Sequence, residues 1–226
     1  DYIRLTLGFK SPQVIQFSRY NFEGTPFSKR KIRALIKEGK IDSWDDIRLP
    51  TVSAIRRRGI QPDAIKEFTL RARYSSSSHE YSWDLLFTLN RRILDPKVKR
   101  LFFVPSPILL EVEGVEEKEV SLKFHPSENM GERRIRIDGK FYIPFDDIAD
   151  MNEGDELRLK ELFTVKIKEK MKNKILAEIS SYEHKGQEKI VQWVTEDNLN
   201  VNIVLIGKLL NEDGSYNPNS IKMVDG

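Results

Sequence analysis

VSLKFHPSENMGERRIRIDGKFYI, residues 120–143, alternates apolar and polar positions on either side of a turn-rich break. Val120, Leu122 and Phe124 fall on one face of an extended chain, and Ile135 and Ile137 do so again after the break. A period of two suits a half-buried strand and not a helix. Asp138-Gly139 stands between two such runs and is predicted to form a hairpin turn, because both residues tolerate positive φ. The period returns at Phe163, Val165 and Ile167, and Lys172-Asn173 is predicted to turn the chain between FTVKIKEK and KILAEIS. Several short antiparallel strands within roughly 120 residues argue for a closed or nearly closed barrel.

Upstream of about residue 100 the period is helical. Ile32, Leu35 and Ile36 form an apolar stripe behind Ser28, a good N-cap, and Gly39 offers a stop. In LPTVSAIRRRGIQPDAIKEF, residues 49–68, Thr51 caps a helix that ends at Gly59, and Pro62-Asp63 opens the next. The expected fold is therefore α+β and multidomain, with a short helical connecting subdomain followed by an antiparallel β-barrel region. SSSS at 75–78 reads as a loop.

The bulk properties exclude more than they assign. The chain has 226 residues, no cysteine, 38 Lys+Arg and 35 Asp+Glu, for a net charge of +3. Disulfides, thiolate catalysis and cysteine-ligated zinc are ruled out, and a reducing, cytoplasmic location is expected. The longest uncharged apolar runs, such as NIVLIG at 202–207, fall well short of the ~20 residues of a membrane span. So small a net charge does not announce a nucleic-acid binder; the distribution of the charges must.

Three basic clusters carry that distribution. Arg56, Arg57 and Arg58 occupy the last turn of a helix, where cations complement the dipole, so a structural role competes with a binding one. Arg91, Arg92, Lys97, Lys99 and Arg100 surround Asp95 and could equally form a solvated face. Lys29, Arg30, Lys31 and Arg33 differ, because they start a helix. Cations there oppose the dipole at roughly 0.3–1 kcal/mol each. Free N–H groups, the Ser28 hydroxyl and a flexible lysine at one helix start suit a phosphate. The histidines, His79, His125 and His184, are scattered and read as solvated or structural, and no metal site is expected.

FSKRK at 27–31, SWDDIRLPT at 43–51 and AIRRRGIQPDAIKEF at 54–68, in this order, resemble the signature region of class I glutamyl- and glutaminyl-tRNA synthetases. In that family a loop of consensus K-M-S-K-S contacts ATP phosphates. Phe27, Ser28, Lys29 and Arg30 match its last four positions, with Pro26 in place of the first lysine. The resemblance implies Lys29 as the catalytic, phosphate-binding lysine, Ser28 and Arg30 as further ATP contacts, and Mg2+ arriving with ATP. LFTLNRRILDPKVKRLFFVPSP at 86–107, HPSENMGERRI at 125–135, DELRLKELFTVKI at 155–167 and VQWV at 191–194 resemble the stretches that enter and build two anticodon-binding β-barrels. By the same likeness Asn90 and Arg100 match anticodon-holding residues, and Arg158 and Lys160 match a basic pair whose period-two spacing places both on one strand face.

The implied organisation is a catalytic-domain tail over 1–26, the signature loop and helical stem-contact subdomain over 27–100, and an anticodon-binding region of two barrels over 101–226. No H-I-G-H-like nucleotide signature is found, and DYIRLTLGF opens abruptly. A C-terminal fragment of a glutamate–tRNA ligase, inactive alone, is thus expected. Its partner is tRNA(Glu), with tRNA(Gln) as an alternative, and glutamate and ATP belong to the full enzyme. A glutaminyl-tRNA synthetase fragment and a non-catalytic RNA-binding module remain the competing readings.

Overall fold

Helical period gives way to strand period near the point where the chain divides. The computed structural model describes residues 2–10, 12–13, 19–26, 28–72 and 79–225. Phe27 of the FSKRK stretch and the SSSS patch lie outside the described residues. Two compact units form, Asp1–Leu94 with Gly207–Ser220, and Asp95–Ile206 with Ile221–Gly226. Among the described residues no helix is long and apolar enough to cross a membrane.

The first unit contains α1 (Tyr2–Thr6), β1 (Tyr20–Phe22), α2 (Lys29–Lys37), α3 (Val52–Arg57), α4 (Pro62–Ala72), β2 (His79–Tyr81) and α5 (Trp83–Leu94). Gly39 ends α2 at φ 67°, with the Gly39 and Lys40 N–H groups donating to Ile36 and Leu35 carbonyls. Thr51 Oγ1 caps α3 by accepting from Ala54 N at 3.1 Å, and Pro62 is the first residue of α4. Two apolar cores result. Phe22, Ile60, Ala64, Phe68, Leu86 and Leu89 fill the space under α4 and α5, while Ile32, Leu35, Ile41, Leu49, Ala54 and Leu209 surround α2.

A buried ion pair ties the returning segment 207–220 to these helices. Arg48 Nη2 lies 2.7 Å from Asp46 Oδ2 and Arg48 Nε donates to Oδ1 at 2.9 Å, while Nη1 donates to Ser220 Oγ at 3.0 Å. Burial pushes the Asp46 carboxyl up, but the Arg48 hydrogen bonds outweigh it and hold the group below the usual carboxylate range. Gly24, at φ 62°, accepts from Leu210 N through its carbonyl. A Cβ there would stand 2.5 Å from Lys208 Cβ, so the close approach of 208–210 requires glycine.

The second unit opens with a 3-10 turn, Asp95–Lys97, and then runs β3 (Pro107–Glu113), β4 (Lys118–Lys123), β5 (Glu132–Ile137), β6 (Lys140–Pro144), α6 (Phe145–Ile148), β7 (Glu156–Leu159), β8 (Thr164–Lys170), β9 (Lys174–Ser181), β10 (Lys189–Val191), β11 (Asn202–Ile206) and β12 (Ile221–Asp225). Six strands join in the order β10-β7-β8-β9-β3-β6. The sheet then closes on itself: Tyr142 of β6 and Val194, just past β10, exchange N–H···O bonds of 2.8 and 3.0 Å. Leu110, Phe141, Leu157, Val165, Ile175 and Trp193 fill the interior. Most pairings are antiparallel; β3–β9 and β7–β10 are parallel, which their long connections allow.

Lys172-Asn173 does turn β8 into antiparallel β9. The hairpin expected at Asp138-Gly139 is not formed. β5 pairs with β4, and β6 with β3, so the turn passes the chain from one sheet to another. Gly139 is needed for a different reason: its carbonyl accepts from Val112 N, and a Cβ would meet the Val112 oxygen at 2.9 Å. On the barrel wall the Glu188 carboxylate accepts from Lys185 N at 3.0 Å, Gln187 N at 3.1 Å and Thr164 Oγ1 at 3.2 Å. Backbone N–H groups, its own first and then that of Lys185, lower its pKa from 4.5 to about 2.

Candidate phosphate and nucleic-acid interface

α2 begins with neither a side-chain cap nor an acid in its first turn. Ser28 holds the extended N-cap backbone, φ −77° and ψ 121°, yet its side chain makes no capping bond. No acid stands in the first turn, whereas α4 has Asp63 and α5 has Asp84. Ile32 and Leu35 anchor the helix in the core, which leaves Lys29, Arg30, Lys31 and Arg33 exposed. Among the described residues none of these four cations is paired with a carboxylate. The preceding turn is held by Thr25, whose Oγ1 accepts from Trp83 Nε1 at 3.1 Å and donates to Glu23 O at 3.0 Å. Uncapped N–H groups, a hydroxyl and exposed cations together fit a phosphate group.

The other two clusters are largely committed to the fold. Arg57 reaches Asp45 at 3.4 Å. The Arg58 guanidinium lies 4.4 Å from the Trp83 ring centroid and 4.8 Å from that of Phe87, and burial lowers its pKa. Arg92 and Arg71 share Glu67, whose carboxyl both pull below its ordinary range, Arg92 the more strongly.

The residues matched to anticodon contacts separate by unit. Asn90 lies on α5, and both ends of its amide serve the turn before α4: Oδ1 accepts from Gln61 N at 2.8 Å and Nδ2 donates to Gly59 O at 3.3 Å. Arg100, Arg158 and Lys160 lie in the second unit. Arg100 forms a bidentate pair with Asp95, with Nε 2.9 Å from Oδ1 and Nη2 2.7 Å from Oδ2. Arg158 and Lys160 do share the outward face of β7 and its continuation, alternating with buried Leu157 and Leu159. Arg158 binds Thr164 Oγ1 at 3.1 Å and the carbonyls of Leu162, Tyr182 and Glu183 at 3.3 Å, which makes it a brace between loops. Lys160 Nζ sits 5.4 Å from the Phe102 ring centroid.

Both halves of the chain match models of one family. Residues 2–96 match the model described as "tRNA synthetases class I (E and Q), catalytic domain", and residues 98–183 match the "anti-codon binding domain" of the same family. The chain belongs to the class I tRNA synthetases of the E and Q group. It is similar to the glutamate–tRNA ligase of Pyrococcus horikoshii, 40% identical over 202 residues that cover 86% of this chain and 35% of the relative. It is also similar to that of Nitrosopumilus maritimus, 35% identical over 225 residues covering 100% of this chain and 39% of the relative, and to that of Methanocaldococcus jannaschii at 33%. The chain spans 35–39% of the length of these relatives.

Within this E and Q family the boundary between the two matched domains, at 96–98, falls beside the division between the two units at 94–95. Class I synthetases use ATP, and the start of α2, inside the catalytic-domain match, has the donors a phosphate needs. Among the described residues there is no group of three or more His, Asp or Glu side chains arranged to hold a metal. Two features of the synthetase surface escaped the sequence reading. Arg133 stacks its guanidinium 4.3 Å from the Phe102 ring centroid, on the ring that Lys160 also approaches, and among the described residues its buried Nε has no hydrogen-bond partner. His125 packs its ring behind Arg100's partner Asp95. The alternation of ERRIRI puts Arg133 on the face of Ile135 and Ile137, but nothing local named Phe102 as its neighbour.

Proposed function

We propose that this chain is the part of a glutamate–tRNA ligase that supplies the ATP-phosphate loop and reads the anticodon. The observation that carries the reading is the acid-free, uncapped start of α2; the resemblance of Ser28, Lys29 and Arg30 to the family's phosphate loop supports it. In the ligase, glutamate attacks the α-phosphate of ATP and the resulting adenylate is passed to the terminal ribose of tRNA. Lys29 balances the charge that grows as pyrophosphate leaves, a contribution that counts because it is larger in the transition state than in the ground state. Ser28 and Arg30 hold the same phosphates, and Mg2+ enters with them. The similar ligases named above favour glutamate over glutamine.

The 27–100 region contacts the tRNA stem and the 101–226 region binds the anticodon, the β11–β12 pair belonging to a second barrel. Single-stranded bases are splayed, stacked on aromatic or guanidinium planes and hydrogen-bonded on their edges. Arg100 and Lys160 make direct contacts in this reading. Arg158 and Asn90, whose polar groups are engaged internally, contribute by holding the loops and the α3–α4 turn in place. A cytoplasmic location follows from the role.

The test is a pair of assays on the purified chain. It is expected to bind tRNA(Glu) with an affinity that falls linearly in log salt. It is also expected to support no glutamate-dependent ATP–pyrophosphate exchange, because one phosphate lysine cannot position both reactants. Exchange by the chain alone contradicts the division of labour, and failure to retain tRNA at low salt contradicts the anticodon role.

A further inference from the structure

Asp95 stands between two donors and holds one of them. On one side its carboxylate takes three contacts from Arg100, at 2.9, 2.7 and 2.7 Å. On the other side is His125, whose side chain is 2% exposed and whose Nε2 lies 3.7 Å from Asp95 Oδ1. The protonation of this ring follows from its neighbours. Nδ1 is 3.0 Å from Glu128 N and 3.2 Å from Ser127 N, both backbone donors, so Nδ1 accepts and the proton of the neutral ring sits on Nε2. Nε2–H is therefore a buried donor, and among the described residues it has no hydrogen-bond partner.

Unpaired buried donors are unfavourable, and Asp95 Oδ1, 3.7 Å away, is an acceptor that can relieve this one. A shift of about 0.8 Å would bring Oδ1 to an ordinary N–H···O distance. Arg100 can yield its side while its main chain stays in place, since its N–H donates to Phe124 O at 2.8 Å, next to His125, and its side chain is half exposed. The carboxylate thus has two stations less than an ångström apart, one satisfied and one waiting.

The geometry points to a transfer: Asp95 holds Arg100 in the free protein and passes to His125 Nε2 when Arg100 turns to RNA. This rests on the reading of Arg100 as an anticodon contact. Asp95 is then a positioning residue. It keeps the guanidinium extended before RNA arrives, and its departure is offset by the hydrogen bond gained at His125. The group that displaces it must itself accept from the guanidinium fork, which favours a bidentate acceptor such as a guanine edge or a phosphate over a single carbonyl.

The experiment is NMR observation of the His125 Nε2–H signal in the wild-type chain as an anticodon stem-loop RNA of tRNA(Glu) is added, together with affinities of variants for the same RNA. The signal is expected to move downfield at saturation. His125→Asn keeps an acceptor near the Nδ1 position and removes the Nε2 donor. It is expected to weaken binding roughly two- to tenfold, the factor of one net hydrogen bond. In an Asp95→Ala background, where no side-chain acceptor remains to be handed over, His125→Asn is expected to change nothing. An unmoved Nε2–H signal at saturation, or equal losses from His125→Asn in both backgrounds, overturns the transfer. Arg100→Ala separates the two levels. If it weakens binding while the signal stays still, the transfer alone fails; if it leaves binding unchanged, the reading of Arg100 fails and the transfer with it.

Discussion

Two groups of cations that look alike in the sequence have opposite surroundings in the fold. Arg57, Arg71, Arg92 and Arg100 each meet a carboxylate within their own unit, and Arg58 lies on two aromatic rings. Lys29, Arg30, Lys31 and Arg33 sit at the positive end of α2 with no acid in the first turn. Runs of Lys and Arg therefore say little by themselves. What distinguishes a structural cation from one kept for a ligand is whether the fold has already answered its charge.

That contrast is sharpest where substitution should damage one property and spare the other. Arg48 is the most completely answered cation, and its removal strands Asp46 in a buried site. Arg48→Ala is expected to destabilise the first unit by about 3–5 kcal/mol in urea unfolding. A loss below 1 kcal/mol would mean that the pair is no more than a surface ion pair.

Arg100 occupies the middle ground, answered by Asp95 yet half exposed. Arg100→Ala is expected to cost roughly 1–3 kcal/mol against tRNA(Glu) and little against a tRNA with a swapped anticodon. Lys99, whose Nζ lies 4.2 Å from the Phe124 ring centroid, is expected to act on both tRNAs alike, Lys99→Ala flattening the salt slope by about one unit. Equal losses for both tRNAs on Arg100→Ala would reduce its role to a phosphate contact.

The barrel provides a carboxylate counterpart whose expected effect is a change of pH dependence. Glu188 titrates near 2 in the folded chain against 4.5 as its ordinary value. A depressed carboxylate stabilises the fold fully above its unfolded pKa, and the contribution fades as pH falls from about 4.5 towards 2. Glu188→Gln is expected to lower the stability of the second unit at pH 7, and its difference from wild type is expected to shrink through that acid window. A difference independent of pH would show that the lost interaction is not ionic.

Much of this was legible before the fold was known, and the exceptions have physical causes. The α2 stripe, the Thr51 cap, the Gly59–Pro62 break and the strand faces at 120–124, 135–137 and 163–167 depend on local periodicity, which a sequence carries directly. The Asp138-Gly139 turn was visible but its sheet partners were not, because pairing is a long-range choice that turn chemistry does not encode. For the same reason the link from Arg48 to Ser220 could not be read. At the candidate site the exposed cations of α2 were legible from dipole opposition. The internal engagement of Asn90 and Arg158 was not, since a polar residue on an outward face can answer the fold or a ligand with the same side chain. Phe102 beneath Arg133 and Lys160 joins residues from three separate stretches, and no spacing rule connects them.

The central claim, that the exposed lysine at the start of α2 serves ATP and not the fold, meets its most direct test in Lys29→Ala. The measurement is kcat for glutamate-dependent ATP–pyrophosphate exchange in a full-length glutamate–tRNA ligase carrying this chain, with urea unfolding of the same variant alongside. The expected result is a transition-state loss of about 2–4 kcal/mol, expressed more in kcat than in ATP affinity, with stability within about 0.5 kcal/mol of wild type. An unchanged turnover rate, or a loss that merely tracks unfolding, would contradict it.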